Sequence, residues 1–165
     1  MEGLFVLKPA ALLAAVWATA GCALLPSDPV RPPVGLRQDG DVLTVLIPDC
    51  PGVTVVGAAV TSRSSDATSG LPSWTATGFI GEVRNGVALD TRDWSEVDGS
   101  YAGLAAVDIE IDTGTSTYGT VVEPPRDRED LESLPVGHYD VGGEVVEAAE
   151  YFDRVADDYP CPTPT

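Results

Sequence analysis

From Asp41 onward no apolar run goes far before glycine or proline cuts it, until the final stretch of the chain. That punctuation constrains the fold most. With 17 glycines and 14 prolines in 165 residues, the chain favours short strands joined by turns over long helices. "VLTVLIP" (42–48) is dense in branched residues and reads as a buried strand, closed by the turn "PDCPG" (48–52). "VTVVGAAVTS" (53–62) is a second strand, in which Gly57 marks a bulge or a close backbone approach. After the polar loop "RSSDATSGLPS" (63–73), "WTATGFIGEVR" (74–84) alternates apolar and small polar residues, as a strand with one wet face does. Asn85-Gly86 follows, between "GEVR" and "VALD". Both residues tolerate the positive φ of a type I′ turn, which predicts a hairpin.

"TRDWSEVDGS" (91–100) reads as a loop, and "YAGLAAVDIEID" (101–112) with "STYGTVVE" (116–123) as a further hairpin. "PPRDREDLESLPVG" (124–137) is a charged, proline-bounded connector with one helical turn at 127–133. "HYDVGGEVVE" (138–147) is a third hairpin, turning at Gly142-Gly143. The end changes period. Ala148, Phe152, Val155 and Tyr159 are spaced as one face of a helix, which Pro160 stops. Seven or eight short strands plus one terminal helix predict a mainly β chain. The expected form is a small β-sandwich, with the immunoglobulin-like arrangement one candidate topology and a short C-terminal helix.

The amino terminus is different in kind. "MEGLFVLK" carries one positive side chain, "PAALLAAVWATA" (9–20) is apolar, and small residues precede Cys22. This is the order of a secretory signal peptide, too short for a spanning helix. Thr19, Ala20, Gly21 and Cys22 resemble the lipobox of bacterial lipoproteins. That resemblance implies removal of residues 1–21 and a diacylglycerol on the Cys22 thiol. "ALLPSDPVRPPVGLRQDG" (23–40) follows, and its prolines favour an extended tether. The expected organisation is a signal peptide at 1–21, a lipidated cysteine with its tether at 22–40, and an acidic domain at 41–165. If Cys22 carries lipid, Cys50 and Cys161 remain, and outside the cytoplasm two such thiols pair.

A net charge of −17 excludes a nucleic-acid partner, because phosphate binding needs a basic surface. No phosphate loop or dinucleotide fingerprint is present, so no cofactor is expected. Catalytic candidates are few. "IEIDTGTS" (109–116) resembles the Asp-Thr-Gly motif of aspartic proteases, with Asp112 as the carboxylate that a second chain would complete. Asp, Thr and Gly are also ordinary turn residues. Asp108, Glu110 and Asp112 share one strand face and are weak cation candidates, without the EF-hand pattern. Asp90, Asp93, Glu96 and Asp98 surround Trp94 in what reads as an acidic surface loop. His138 is the single histidine, and no nucleophile elbow accompanies it. Two cysteines and one histidine without a C-x-x-C spacing argue against zinc.

Lys8 is the only lysine; the other eight cations are arginine, a bias of G+C-rich genomes. With the lipobox, the proline tether, "LIPDCPGVTVVGAAV" (46–60), "LPVGHYDVGGEVV" (134–146) and a helix closing on "YPCP" (159–162), the chain resembles uncharacterised small lipoproteins of high-G+C Gram-positive (actinobacterial) bacteria. The resemblance implies a lipid anchor on the extracytoplasmic face of the cell membrane and a β-rich fold. It implies no activity. The expected role is a binding or interaction module for a protein or envelope polymer, not an enzyme, with one exposed apolar or aromatic patch, for which Trp74, Trp94 and Tyr101 are the candidates. The alternative is a small hydrolase using Asp112 in a dimer.

Overall fold

Each described strand of the domain finds an antiparallel neighbour. The computed structural model describes residues 31–63, 72–104, 106–123, 126–159 and 161, with only the backbone of 126–128. Ten strands are present among them: β1 (Gly35–Asp39), β2 (Val42–Leu46), β3 (Gly57–Ser62), β4 (Trp74–Phe79), β5 (Val87–Ala88), β6 (Trp94–Gly99), β7 (Val107–Asp112), β8 (Thr117–Val122), β9 (His138–Val141) and β10 (Glu144–Glu147). Helix α1 (Arg126–Glu132) lies before β9, and α2 (Ala148–Asp158) follows β10. One sheet has the order β10-β9-β1-β2-β5, the other β6-β4-β3-β7-β8, and each neighbouring pair is antiparallel. The fold is thus mainly β, two five-stranded sheets packed together with a short C-terminal helix.

Strand alternation decides which residues meet. In β1 and β2, Leu36 pairs with Val45 and Gln38 with Leu43, so these side chains share the face turned to the second sheet. There Leu43, Val45 and Ile47 pack with Val60, Ile109 and Ile111, all at most 1% exposed. Each such side chain is worth roughly 1.5–3 kcal/mol of burial as an upper bound. The other face of the first sheet carries Leu46, Tyr139 and Val146, which form a second cluster with Tyr151 and Val155 of α2. Three layers result: α2, the first sheet, the second sheet. Tyr151 fixes the helix further. Its hydroxyl lies 2.8 Å from the Pro33 carbonyl oxygen and 3.3 Å from that of Leu46. A disulfide joins Cys50 to Cys161, closing the domain across 111 residues and tying the segment after α2 to the turn after β2.

Four expectations need correction. The first described strand begins at Gly35, inside the segment assigned to the tether, because "GLRQD" completes a five-residue ladder with β2. No hairpin forms at Asn85-Gly86. Val83–Asn85 is a single 3-10 turn, Asn85 keeps negative φ, and β5 pairs with β2 of the other sheet. Burying Val87 and Leu89, at 0% and 1% exposure, in the main core outweighs the local turn preference. The stretch 91–100, read as a loop, contains β6. Finally, Trp74, Trp94 and Tyr101 form no exposed patch: they are 4%, 5% and 7% exposed. Trp74 meets Trp94 and Tyr101 edge-on at centroid distances of 6.1 and 5.7 Å. Trp94 Nε1 donates to the Ala88 carbonyl across the sheets at 2.8 Å.

Candidate functional site

The residues singled out as reactive are not gathered in one place. Asp112 ends β7 exposed, and its Oδ1 accepts the Gly114 N–H at 2.7 Å. Thr113 Oγ1 accepts from Ser116 N at 3.1 Å and donates to Ser116 O at 2.9 Å, so "DTGTS" closes the β7–β8 turn. This is an Asx turn on the surface. Asp108, Glu110 and Asp112 project from the outer face of the second sheet, opposite to the buried Val107, Ile109 and Ile111. Asp108 lies 3.8 Å from Arg63. Among the described residues no group of three His, Cys, Asp or Glu side chains is placed to hold a metal ion.

Asp90, expected in an acidic loop, is held by its neighbour: Oδ1 accepts from Arg92 N at 2.9 Å and Oδ2 from Arg92 Nε at 2.6 Å. Burial pushes the Asp90 carboxyl up, and the Arg92 bonds outweigh it, leaving the group below its usual range. Glu96 and Asp98 stand on β6, paired across from Thr77 and Thr75. His138 opens β9. Its Nδ1 lies 3.2 Å from the Val136 carbonyl oxygen and its Nε2 3.8 Å from Glu147. Cys22 lies outside the described residues.

What the fold does assemble is a cleft of about 350 Å³ where the two sheets part, beside β8. Leu36, Val122 and Leu131 supply apolar walls; Asp130 and Asp140 supply carboxylates. Asp140 faces this way because it pairs with Leu36, whose side chain points into the sandwich. Its Oδ1 also accepts the Gly143 N–H at 3.0 Å, fixing the β9–β10 turn. Helix α1 and the segment that follows it are tied to β1 by two buried polar residues, Gln38 and Arg37. Gln38 Nε2 donates to Glu132 Oε1 at 2.8 Å and to the Gly40 carbonyl at 2.7 Å. Arg37 Nε donates to Asp39 Oδ2 at 2.7 Å, while its Nη1 donates to the Pro135 and His138 carbonyls. The hydrogen-bonded Arg37 guanidinium holds the Asp39 carboxyl below the usual carboxylate range.

Sequence reading missed this cleft. Its carboxylates come from α1 and β9, distant in sequence, and only the β1–β9 pairing brings them to one opening. The readable signal was the aspartate at 140 within an otherwise strand-like "HYDV". No family model, no curated protein and no solved structure matches the chain.

Proposed function

We propose that the chain is a membrane-anchored extracytoplasmic lipoprotein whose acidic sandwich serves as a binding or interaction module of the cell envelope. The carrying observation is the cysteine arithmetic. The chain has three cysteines, and the disulfide takes Cys50 and Cys161. Cys22 is left over, directly after Thr19-Ala20-Gly21 at the end of an apolar run. A structural disulfide also fits an oxidising compartment. With β1 starting at Gly35, twelve residues lie between Cys22 and that strand. Extended, they would hold the domain up to about 40 Å from a bilayer. Two or three acyl chains would anchor it stably.

Intact mass spectrometry of membrane-extracted protein, with and without reduction, tests this reading. The expected species lacks residues 1–21, carries acyl mass on Cys22 and gains about two mass units on reduction. A full-length chain without acyl mass overturns the anchor.

A further inference from the structure

Among the described strands, the second sheet ends at β8, which pairs there with β7 alone. Two hydrogen bonds fix which way its backbone points. Asp112 O accepts from Val56 N at 2.8 Å, toward β3, while Thr113 N donates to Ser116 O at 3.0 Å. Antiparallel ladders alternate. Ile111–Tyr118, Ile109–Thr120 and Val107–Val122 are therefore the hydrogen-bonded pairs, and the N–H and C=O groups of Thr117, Gly119 and Val121 face the free edge.

The side chains around that edge differ on its two sides. On the inner side lies the cleft, walled by Leu36, Val122 and Leu131, with Asp140 at its mouth. The Gly142-Gly143 turn bounds it without side chains. On the outer side Gly119 stands opposite Glu110, so nothing on β8 covers that carboxylate. Asp108 and Asp112 flank it on the same face of β7.

We infer that β8 takes up an extended segment of a partner protein as a sixth strand of its sheet, a segment whose alternate residues are apolar and basic. This rests on the reading of the domain as an interaction module and names the partner's chemistry. A strand added about 4.8 Å from β8 turns successive side chains to opposite faces. Apolar ones enter the cleft. Basic ones pass over Gly119 toward Glu110. A second copy of this chain is a poor occupant, since two chains of charge −17 repel at an acidic edge.

The probe is a fluorescein-labelled octapeptide of alternating valine and lysine, titrated by anisotropy into the full chain in detergent. Its control is the same peptide N-methylated at alternate residues, which keeps every side chain and loses the pairing N–H groups. The unmodified peptide binds at least about tenfold more tightly than the control. Glu110→Gln weakens it about two- to fivefold. Amide exchange at Gly119 and Val121 slows on binding. Equal affinity of the two peptides means adsorption to an acidic surface and overturns the inference. So does protection of another edge strand, or no binding at millimolar peptide. The mass of the same preparation separates the two readings. An acylated chain that ignores the peptide keeps the anchor and loses the β8 site; an unacylated chain that binds it does the reverse.

Discussion

Replacing Tyr151 with phenylalanine removes one oxygen from the junction where the chain enters the domain and α2 crosses it. The ring is 1% exposed, and its hydroxyl has the Pro33 and Leu46 carbonyls within reach. The variant keeps the ring's packing against Phe152, 5.2 Å between centroids, and loses the donor. Losing one buried hydrogen bond costs about 1–2 kcal/mol. For a domain of this size that lowers Tm by roughly 3–8 °C. A second consequence follows from ionisation. Burial, and then the nearby Tyr118 phenolate, push the Tyr151 phenol well above its ordinary value. The folded state therefore keeps a proton that the unfolded chain releases near pH 10. Stability from this group is fully present below about pH 10 and falls by up to ~1.4 kcal/mol per pH unit above it. Burial raises Tyr139 and Tyr118 too, so the wild type carries their dependence as well. Urea unfolding followed by tryptophan fluorescence, near pH 7 and at intervals above pH 10, reads both effects. Phenylalanine at 151 should be less stable at neutral pH and lose stability less steeply in alkali. Equal stability at neutral pH, or an unchanged alkaline slope, would refute the hydroxyl's anchoring role.

Three other perturbations probe the frame. Gly99→Ala is severe: Gly99 has φ +81°, and a Cβ there would stand 2.1 Å from the Ser73 carbonyl oxygen. Denaturant titration should show a loss above about 3 kcal/mol. Trp94→Phe deletes the bond to Ala88 that joins the sheets, and should cost about 2–3 kcal/mol by the same titration. Paired Cys50→Ser and Cys161→Ser substitutions free a loop of 111 residues, and should lower stability by up to about 4–5 kcal/mol while leaving the far-ultraviolet circular dichroism unchanged.

Where the local pattern and the tertiary pattern agree, the fold was legible. The β7–β8 hairpin has clean alternation on one strand and turn residues between, and β9–β10 turns at two glycines, both with positive φ. The period of Ala148, Phe152, Val155 and Tyr159 marks the packed face of α2, although Tyr151, more buried than any of these, was not among them. Asn85-Gly86 misled because hairpin chemistry is local, whereas Val87 and Leu89 are recruited by the opposite sheet. Strand β6 hid for another reason. Its ladder with β4 pairs Glu96 with Thr77 and Trp94 with Phe79 but skips Gly78–Ser95, where Gly78 adopts φ +66°. Trp94 and Val97 therefore both pack inward at a spacing of three, which no period-two template recognises.

The acidic charge acquires a location through the same alternation. Inward residues of β7 and β3 are Val, Ile and Ala, while Asp108, Glu110 and Asp112 share the outer face with Gly57, Ala59 and Thr61. Helix α2 covers the outer face of the first sheet; among the described elements none packs over that of the second. The arginines with described side chains do little to neutralise this face. Arg37, Arg84, Arg92 and Arg154 pair with Asp39, Asp49, Asp90 and the Glu144–Glu150 pair respectively, none of which lies on the second sheet. Among the described side chains, Arg63 alone reaches it, at Asp108. Negative charge on an edge-bearing sheet repels further copies of the chain and so guards β8 against self-association. It leaves the same edge open to a strand of opposite charge. Solubility and selectivity are then two consequences of one distribution, and raising ionic strength should weaken both: peptide affinity should fall while self-association rises.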